Sequence, residues 1–379
     1  MRIAIIHDCI YPYRNGGGEV RNHYLARQLA DNGHEVFLVG MKDWDGDDYL
    51  ELSEGVTAVG VSTGMALYDQ TGKRTISDAM MFAASCSSQQ LDKYIPDVDL
   101  VEANNIPYMH LPNIHRWTDS KDIPMFVTWH EVYGYSHWRK ERNLIVGAFA
   151  TYYERKATKF GDYIIAVSDH TKQRLLDLGV KPEKIKVVFG GVDTTKIEQT
   201  PPDGPESDVI YSARLVSTKR VDLLLSASQI SSEKLGRPIK GVITGDGPLK
   251  NELEELSDKK GLDFEFTGWL PEKEDVWGRM KNSKVMVHTS QREGFGFAAL
   301  EAMACGLPVV AMNEATTAIG ELVTEGRNGY ITDPDPSSVS EGIIKALGNY
   351  QSMSASCRHQ ADSFSWERSG ESLMKAYKV

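Results

Sequence analysis

Short apolar, β-branched runs alternate along the chain with longer stretches in which apolar residues recur at helical spacing. The first repeat has a strand at residues 2–6, a helix at 20–32 and a strand at 35–39. Further strands are predicted at residues 100–102, 125–128, 163–167, 186–189, 209–212, 241–244, 263–266, 284–288 and 308–311. Strands that alternate with helices form βαβ units, so we expect parallel sheets with helices on both faces.

A proline-rich stretch interrupts this alternation once, at residues 200–205 (TPPDGP). Prolines break a helix and glycine favours a turn, so we predict an interdomain linker there. Two domains also suit a chain of 379 residues, which exceeds the usual size of one core. The predicted fold is α/β, with two doubly wound Rossmann-like domains: residues 1–200 plus a C-terminal helix at 364–379, and residues 205–363. Ligands bind beyond the carboxyl ends of parallel strands, so a cleft between the domains is the expected site.

Charge and cysteine usage narrow the class of protein. The net charge of −11, with no basic stripe, argues against a nucleic-acid binder. The four cysteines are scattered and form no CxxC pair, so we expect neither a disulfide framework nor a zinc site. No run of about 18 apolar residues occurs, so we expect a cytoplasmic protein whose membrane contact, if any, is peripheral at the inner surface.

Three consecutive glycines, Gly16, Gly17 and Gly18, lie in the turn between the first strand and the first helix. Glycines let main-chain N–H groups approach a ligand, and the helix N-terminus behind them is partly positive, so a phosphate or oxyanion is the expected guest. A flexible loop is the alternative. The GxGxxG fingerprint of dinucleotide-binding enzymes is absent, which disfavours a nicotinamide-dependent oxidoreductase.

The strongest cluster is residues 293–301 (EGFGFAALE), which follow the predicted strand 284–288. A carboxylate inside an otherwise apolar helix, as at Glu301, needs polar partners, and two ribose hydroxyls would supply them. Gly294 and Gly296 have no side chains, so a sugar can approach the main chain at the start of the helix. The donor contacts predicted in this cluster are Phe295, Gly296, Phe297, Ala298 and Glu301. The alternative is a helix with one glutamate facing solvent.

Other candidates also follow strands. Arg214 and Lys219 come after strand 209–212, where a guanidinium fork and a point charge could hold a diphosphate; ordinary loop solvation is the alternative. His130 ends a first-domain strand and could hydrogen-bond a sugar or act as a base, although a single histidine is more often structural. Gly245 and Gly268 follow second-domain strands and suit main-chain contacts with a nucleotide.

With these residues together, the chain resembles the family 4 retaining glycosyltransferases, which adopt the two-domain GT-B fold. The resemblance extends over nearly the whole length. It rests on Gly16-Gly17, residues 27–36 (RQLADNGHEV), residues 166–168 (AVS), Arg214, Lys219, residues 245–248 (GDGP), and the Glu-x7-Glu signature of Glu293 and Glu301. One departure is residues 190–193 (GGVD), where the family often has Asn-Gly-Val-Asp, so that turn is assigned no role.

The resemblance implies a retaining hexosyltransferase whose donor substrate is a UDP- or GDP-sugar and which needs no cofactor or metal. It implies that Glu301 binds the ribose and that Glu293 contacts the transferred sugar. It also implies that Arg214 and Lys219 hold the diphosphate, whose developing negative charge these cations would stabilise. His130 would lie near the sugar. Catalysis is therefore assigned to His130, Glu293, Arg214 and Lys219.

Two alternatives concern the chemistry. A metal-dependent transferase would use an Asp-x-Asp motif, which Asp45-Gly46-Asp47 formally matches, but the acidic surroundings favour a solvated loop. Retention can proceed by a front-side route or through two inversions. The second route needs a nucleophile under the sugar, and since no carboxylate is convincingly placed for it, we favour the first.

The acceptor is expected to be a glycan, a lipid-linked sugar or a small molecule. First-domain loops at residues 11–14, 104–117 and 133–142 are expected to frame it. The last loop mixes aromatic and cationic residues, so it could touch an anionic membrane, stack on a sugar or form a solvated helix start. A non-catalytic nucleotide-sugar-binding protein on the same fold is the alternative function.

Overall fold

The computed structural model describes residues 1–64, 75–141 and 144–378, and the chain divides into two compact units. Among the described residues, the first unit comprises 1–64, 75–141, 144–190 and 366–378. The second unit comprises Gly191–Ser365. Each unit has its own largely parallel sheet and its own buried apolar core.

The described part of the first unit builds one sheet from eight strands. These are β1 (Arg2–Ile6), β2 (Glu35–Lys42), β3 (Tyr49–Ser53), β4 (Val56–Thr63), β5 (Leu100–Asn104), β6 (Met125–Trp129), β7 (Tyr163–Ala166) and β8 (Ile185–Val187). Their order is β3-β4-β2-β1-β5-β6-β7-β8, and only β3 runs antiparallel to its neighbour. The helices are α1 (Gly17–Asp31), α2 (Ile76–Ser85), α3 (Ser88–Tyr94), α4 (Leu111–Lys121), α5 (Gly134–Glu141), α6 (Leu144–Ala157) and α7 (Asp169–Asp177).

The second unit builds a six-stranded, fully parallel sheet. Its strands are β9 (Ser207–Ser212), β10 (Lys240–Thr244), β11 (Asp263–Gly268), β12 (Ser283–His288), β13 (Val309–Met312) and β14 (Gly329–Thr332). Its helices are α8 (Thr194–Gln199), α9 (Val221–Leu235), α10 (Lys250–Lys259), α11 (Lys273–Lys281), α12 (Phe297–Ala304) and α13 (Pro336–Asp362). The order β11-β10-β9-β12-β13-β14 reverses direction between β9 and β12, as in doubly wound folds.

The two sheets confirm the predicted α/β class with two doubly wound units. Strand order also reverses in the first sheet, between β1 and β5. Strands at the centre of each sheet are buried on both faces, which explains why they are nearly continuous apolar runs rather than alternating ones. The reversal points matter because loops that follow the two central strands diverge there and leave room for a ligand.

The division between the units falls earlier than the predicted linker at residues 200–205, after Gly190. Helix α8 belongs to the second unit: Lys281 of α11 donates through Nζ to the carbonyl oxygens of Glu198, at 2.9 Å, and Thr200, at 2.6 Å. The main-chain N–H of Asp203 donates to the carbonyl of Gly278 at 3.0 Å. The proline-rich stretch therefore lies along the second unit instead of linking two domains.

The C-terminal helix α14 (Trp366–Tyr377) belongs to the first unit, and it begins two residues after the predicted start. Its Trp366 ring stacks on Tyr24 of α1, with ring centroids 4.7 Å apart and planes 3° apart. At its other end, Tyr377 is buried against Phe126 of β6, with centroids 5.1 Å apart. None of the helices in the described ranges is both long enough and apolar enough to cross a bilayer.

Candidate active site

Lys219 and Glu293 meet where the strand order of the second sheet reverses. Lys219 lies in the loop after β9 and Glu293 in the loop after β12, and these strands are hydrogen-bonded neighbours. The Nζ atom of Lys219 is 2.8 Å from Oε2 of Glu293. The Nε2 atom of His288, the last residue of β12, lies 3.6 Å from the same carboxylate oxygen. Two residues from separate predicted motifs are thus in direct contact.

Main-chain contacts fix this ion pair from both sides. The carbonyl of Lys219 accepts hydrogen bonds from the hydroxyls of Tyr211, at 3.0 Å, and Thr289, at 2.9 Å. The carbonyl of Glu293 accepts from the N–H of Ala318 at 2.8 Å. Because both loops are held to neighbouring elements, the charged groups are positioned before any ligand binds.

The surroundings keep Glu293 ionised. Burial opposes ionisation, but the charge of Lys219 and the hydrogen bond and charge of His288 outweigh it and hold the pKa of Glu293 well below its usual range. The side chain is nevertheless 22% exposed, so it can reach a ligand. An ionised carboxylate accepts hydrogen bonds only, and sugar hydroxyls are suitable donors.

Glu301 has a cationic partner that the sequence did not reveal. It lies in α12, as expected, and its Oε1 is 2.7 Å from Nζ of Lys273 at the start of α11. The side chain of Glu301 is 14% exposed. The predicted need for polar partners is therefore met in part by Lys273, and the other carboxylate oxygen, Oε2, offers further acceptor sites.

The turn before α12 depends on Gly296. This residue precedes the helix at φ +104°, and a β-carbon there would lie 2.1 Å from Cδ1 of Ile319. Phe295 is buried and packs on Phe297 and on Phe364, with centroids 5.2 and 5.8 Å away. Phe295 thus supports the turn as part of the core, while Phe297 and Ala298 carry the first N–H groups of the helix. Those groups are partly positive because no turn precedes them.

Arg214, Gly245 and Gly268 lie at the same edge of the second sheet. Arg214 is exposed in the loop after β9. Gly245 has φ +122°, and a β-carbon there would lie 2.1 Å from the carbonyl oxygen of Ala213. The N–H of Gly245 donates to the carbonyl of Gly268 at 2.8 Å. Close main-chain packing is thus a sufficient reason for Gly245, and its contact with a nucleotide stays a prediction.

His130 and the glycine turn come together in the first unit, near its own reversal point. A β-carbon at Gly18 would lie 3.3 Å from Cε1 and Nε2 of His130 and 3.7 Å from Nε2 of His7, which follows β1. Gly16 caps α1 in an extended conformation, with no side-chain capping bond, and Gly17 begins the helix. The sequence predicted both features separately, and the structure brings them into contact.

The hydrogen bonds around His130 fix its tautomer. Asn104, the last residue of β5, donates through Nδ2 to the carbonyl of Ile6 at 3.3 Å, so its Oδ1 faces Nε2 of His130 at 2.5 Å. Nε2 must therefore carry the proton. Burial, together with the charges of Arg21 and His7, holds the pKa of His130 well below its usual value. The ring is neutral at physiological pH, and Nδ1 is its acceptor.

A buried charged network stands behind the glycine turn. Arg21 of α1 and Glu102 of β5 are each 1% exposed, with Nη1 of Arg21 3.4 Å from Oε1 of Glu102. Glu102 also accepts a hydrogen bond from Thr128 at 2.7 Å and one from the phenol of Tyr377. This network joins α1, the central strands β5 and β6 and the C-terminal helix.

Two groups of residues have side chains of the kinds that bind metals. Asp45 and Asp47 are exposed, as a solvated loop requires. Among the described residues, His7, Asp8 and Cys9 have ligand atoms within 4.8 Å of one another. Burial, reinforced by the charge of Glu19, raises the pKa of the Cys9 thiol far above its usual value, so forming the thiolate that binds metals would be costly here. We assign no metal to this cluster.

Two residues that touch the predicted ones were missed from the sequence, His288 and Lys273, while Asn104 was predicted only as the first residue of the acceptor loop 104–117. His288 ends a strand that was predicted, so the rule that ligands meet strand ends would have found it. Lys273 lies in a charged helix start, residues 272–275 (EKED), which looks like an ordinary solvated surface. Of the loop predicted at residues 133–142, Arg142 lies outside the described residues.

Two family models match adjacent parts of the chain. One, described as glycosyltransferase family 4, matches residues 15–196, and the other, glycosyl transferases group 1, matches residues 192–363. The chain belongs to the family 4 glycosyltransferases. The predicted family is thereby confirmed, and with it the class of reaction, transfer of a glycosyl group.

Relatives of this family 4 glycosyltransferase agree with that class. It is 27% identical over 400 residues to the D-inositol 3-phosphate glycosyltransferase of Geodermatophilus obscurus, covering 96% of this chain and 84% of the relative. It is 29% identical over 167 residues to the GDP-mannose-dependent alpha-(1-6)-phosphatidylinositol dimannoside mannosyltransferase of Mycobacterium tuberculosis, covering 44% of this chain and 42% of the relative.

Solved structures show the same fold. Sucrose-phosphate synthase from Thermosynechococcus elongatus superposes with a TM-score of 0.81 at 19% identity, covering 100% of this chain and 98% of that one. HepE from Anabaena, solved in complex with UDP-glucose, gives a TM-score of 0.73 at 18% identity, covering 100% and 99%. These neighbours are GT-B glycosyltransferases, so the predicted GT-B fold is confirmed.

Proposed function

We propose that this family 4 glycosyltransferase moves a hexosyl group from a UDP- or GDP-sugar to a glycan, lipid-linked or small-molecule acceptor, with retention and without a metal. The observation that carries the proposal is the Lys219–Glu293 ion pair at the reversal point between β9 and β12. In doubly wound sheets this is where nucleotides bind. A cation and an ionised carboxylate together suit a donor that has both a diphosphate and sugar hydroxyls.

The diphosphate would be held by positive charge from one sheet edge. Lys219 has three N–H donors, so it can keep its bond to Glu293 and still donate to a phosphate oxygen. Arg214 in the same loop and the N-terminus of α12 add positive potential. Bond cleavage places negative charge on the leaving diphosphate, and each fixed charge of this kind contributes about 2–4 kcal/mol to the transition state.

The ribose would be bound by Glu301. Lys273 donates to Oε1, and the ribose hydroxyls would donate to the carboxylate alongside it. The proposal of UDP or GDP as the nucleotide is supported by a GDP-mannose-dependent relative and by neighbours solved with UDP and UDP-glucose. Glu293 would accept hydrogen bonds from hydroxyls of the transferred sugar.

The first unit would form the acceptor side. Neutral His130 offers Nδ1 as an acceptor for a sugar hydroxyl, and the N–H groups at the start of α1 suit an oxyanion or phosphate. In the front-side route, the bond between the anomeric carbon and the phosphate oxygen breaks and one from that carbon to the acceptor oxygen forms on the same face. The departing phosphate takes the acceptor proton, so no protein nucleophile is required.

Turnover and donor binding in the Glu293→Gln variant test this proposal. Without its negative charge, residue 293 stabilises the transition state less, so kcat should fall by about 10²–10³. The nucleotide, which other groups hold, should still bind within a few-fold of its original affinity. A thermal-shift series over UDP-, GDP- and ADP-sugars and NAD identifies the donor, since a ligand bound only by the folded protein raises Tm with its concentration.

Glu255→Gln is the matched control, because Glu255 lies in α10 with its side chain 71% exposed. Full activity in Glu293→Gln would contradict the role proposed for this carboxylate. Stabilisation by a nucleotide sugar with no transfer to any acceptor would favour a non-catalytic binding protein. A requirement for a divalent cation, abolished by a chelator, would contradict the metal-independent chemistry.

A further inference from the structure

Helix α6 turns an apolar face to the outside of the first unit. Ile145, Phe149 and Tyr152, spaced i, i+4 and i+7, are 81%, 63% and 63% exposed. Such residues lie on one side of a helix, and the other side of α6 carries the buried Gly147, Glu154 and Ala157. In a surface helix the apolar stripe ordinarily packs against the core. An apolar stripe that faces outward therefore indicates a binding surface.

Positive charge accompanies the outward stripe. Lys156 lies eleven positions after Ile145 and therefore on the same side of α6. It is exposed, as are Arg155 and Lys159. Residues 134–159 contain six Lys or Arg and two Asp or Glu, in a chain whose net charge is −11. One of those two acids, Glu154, is buried and accepts hydrogen bonds from Tyr108 and from the N–H groups of Tyr133 and Gly134. Between residues 145 and 159, where the structure describes every side chain, the exposed residues are therefore apolar or basic.

Helix α2 adds apolar residues beside the same turn. Ile76, Met80 and Met81 are 52%, 56% and 49% exposed. Phe82 of α2 packs on His110 with ring centroids 5.3 Å apart, and Glu154 of α6 binds the phenol of Tyr108 at 2.8 Å. Both helices thus border the turn at Tyr108–His110, which follows β5. Each of these two helices therefore has exposed apolar residues and also contacts this turn.

We propose that the outer faces of α6 and α2 dock this protein on a bilayer that contains anionic lipids. The aliphatic and aromatic side chains would enter the interface between headgroups and acyl chains, while Arg155, Lys156 and Lys159 meet the anionic headgroups. Basic charge next to the apolar stripe favours an anionic surface over a neutral one, and tyrosine suits the headgroup level. This inference goes beyond the proposed reaction and does not depend on it, since docking needs no donor.

Vesicle flotation of the full chain without donor tests the docking surface. We expect stronger binding to vesicles of phosphatidylcholine with phosphatidylglycerol than to phosphatidylcholine alone, and weaker binding as salt is added. Phe149→Ser should weaken binding roughly tenfold, because the variant lacks the aromatic side chain that would be transferred from water into the bilayer interface. Lys156→Gln should weaken it about fivefold and reduce the preference for the anionic vesicles.

Matched controls lie in the second unit: Leu235→Ser at a 39% exposed leucine and Lys259→Gln at a side chain 73% exposed. Both should bind vesicles like the unchanged protein. All four positions are exposed, and thermal unfolding checks that each variant is folded. If Phe149→Ser does not fold, the vesicle binding of Lys156→Gln still tests the proposal. Equal partitioning of Lys156→Gln and Lys259→Gln overturns the proposal. The proposal is also overturned if the protein does not bind vesicles but forms a dimer that Phe149→Ser dissociates. In that case the exposed face of α6 is a self-association surface.

Discussion

At the scale of single residues, His130 provides a direct test of the electrostatics of the first unit. Burial and the nearby charges of Arg21 and His7 lower its pKa, so the ring should stay neutral where an unperturbed histidine, with a pKa near about 6.5, protonates. With ¹³Cε1-labelled histidine, its NMR resonance should not shift between about pH 8 and pH 5.5. His130→Gln assigns the signal.

The same shift has a consequence for stability. Below about pH 6.5 the unfolded chain takes up a proton at His130 that the folded chain does not, so this residue makes the folded state less stable as the pH falls. His130→Gln should therefore unfold with a smaller loss of stability between about pH 7 and pH 5 than the unchanged protein. A His130 resonance that titrates near about pH 6.5 would contradict both expectations.

Single residues also mark the limit of what the sequence could predict. Glu293 and Glu301 could be found because acids beside glycines or within an apolar helix are unusual, but their partners could not. Lys273 precedes Glu301 by 28 positions in a charged helix start, and only the folded sheet brings their side chains to 2.7 Å. A local pattern reveals that a carboxylate needs a partner; the partner's identity depends on long-range packing.

At the scale of elements, the start of α12 depends on a glycine. Gly296→Ala places a side chain at φ +104° and a β-carbon 2.1 Å from Ile319. Left-handed strain and overpacking each cost about 1–3 kcal/mol, so the variant should unfold at lower denaturant concentration. Donor affinity should fall with it, because the turn sets the position of the α12 N-terminus that is proposed to face the diphosphate. Gly348→Ala in α13, where a β-carbon meets nothing within 4 Å, is the control. Equal stability of the two variants would contradict this account.

The C-terminal helix gives a second prediction at this scale. Tyr377→Phe removes the phenol that donates to buried Glu102, without leaving a large cavity. Among the described residues, Arg21 finds no hydrogen-bond partner for Nε or Nη2, so it cannot simply replace the lost donor. Hydrogen bonds to charged groups contribute about 1.5–3 kcal/mol, and urea unfolding should show a loss of that size. Tyr330→Phe, whose phenol accepts a hydrogen bond from exposed Asn349 at 3.4 Å, should change stability little.

Most strands could be predicted, and the missed ones share a physical cause. The central strands are continuous β-branched runs because both faces are buried. The edge strand β3 is instead alternately exposed and half-buried, and its sequence, YLELS, is short and mixed. Its partner β4 was missed with it, since a hairpin is recognised from both strands together. The edge strand β14, four residues long and partly exposed, was missed for the same reason.

At the scale of the whole molecule, the two sheets share the same reversal of strand order. Each reverses strand order beside its first strand, β1 in one unit and β9 in the other. In the second unit, Lys219 and Glu293 follow the two strands that flank the reversal, whereas in the first unit the glycine turn follows β1 and His130 follows β6, one strand beyond β5. Topology therefore places Lys219 near Glu293, and it puts His7, after β1, and His130, after β6, at the same edge of the first sheet, with ring centroids 6.3 Å apart. The sequence supported this arrangement through its alternating elements, but it placed the division between the units at the proline-rich stretch. Contacts of that stretch with α11, which no local pattern encodes, assign it to the second unit.

Asp208 ties several elements of the second unit together and should contribute to its response to acid. This β9 carboxylate, 4% exposed, accepts two hydrogen bonds from Arg237, at 2.6 and 3.2 Å, and one from Lys284 at 2.9 Å. Burial opposes ionisation, but these partners and the N–H of Lys240 outweigh it and lower the pKa to about 2. A carboxylate with a depressed pKa stabilises the fold above its unfolded pKa, and this contribution is lost as the pH falls toward the folded value.

Asp208→Asn should therefore lower the free energy of unfolding by about 1–2 kcal/mol at pH 7. This range is smaller than the pKa shift alone would give, because water screens the half-exposed Arg237. The difference between the two proteins should persist down to about pH 4 and shrink between about pH 4 and pH 2, where Asp208 itself becomes protonated in the unfolded and then the folded chain. Urea unfolding of the two proteins at each pH measures it. Asp263→Asn, at an exposed strand start, controls for the loss of one negative charge. A difference that is constant with pH would mean that packing, and not the ion pairs of Asp208, stabilises this end of the sheet.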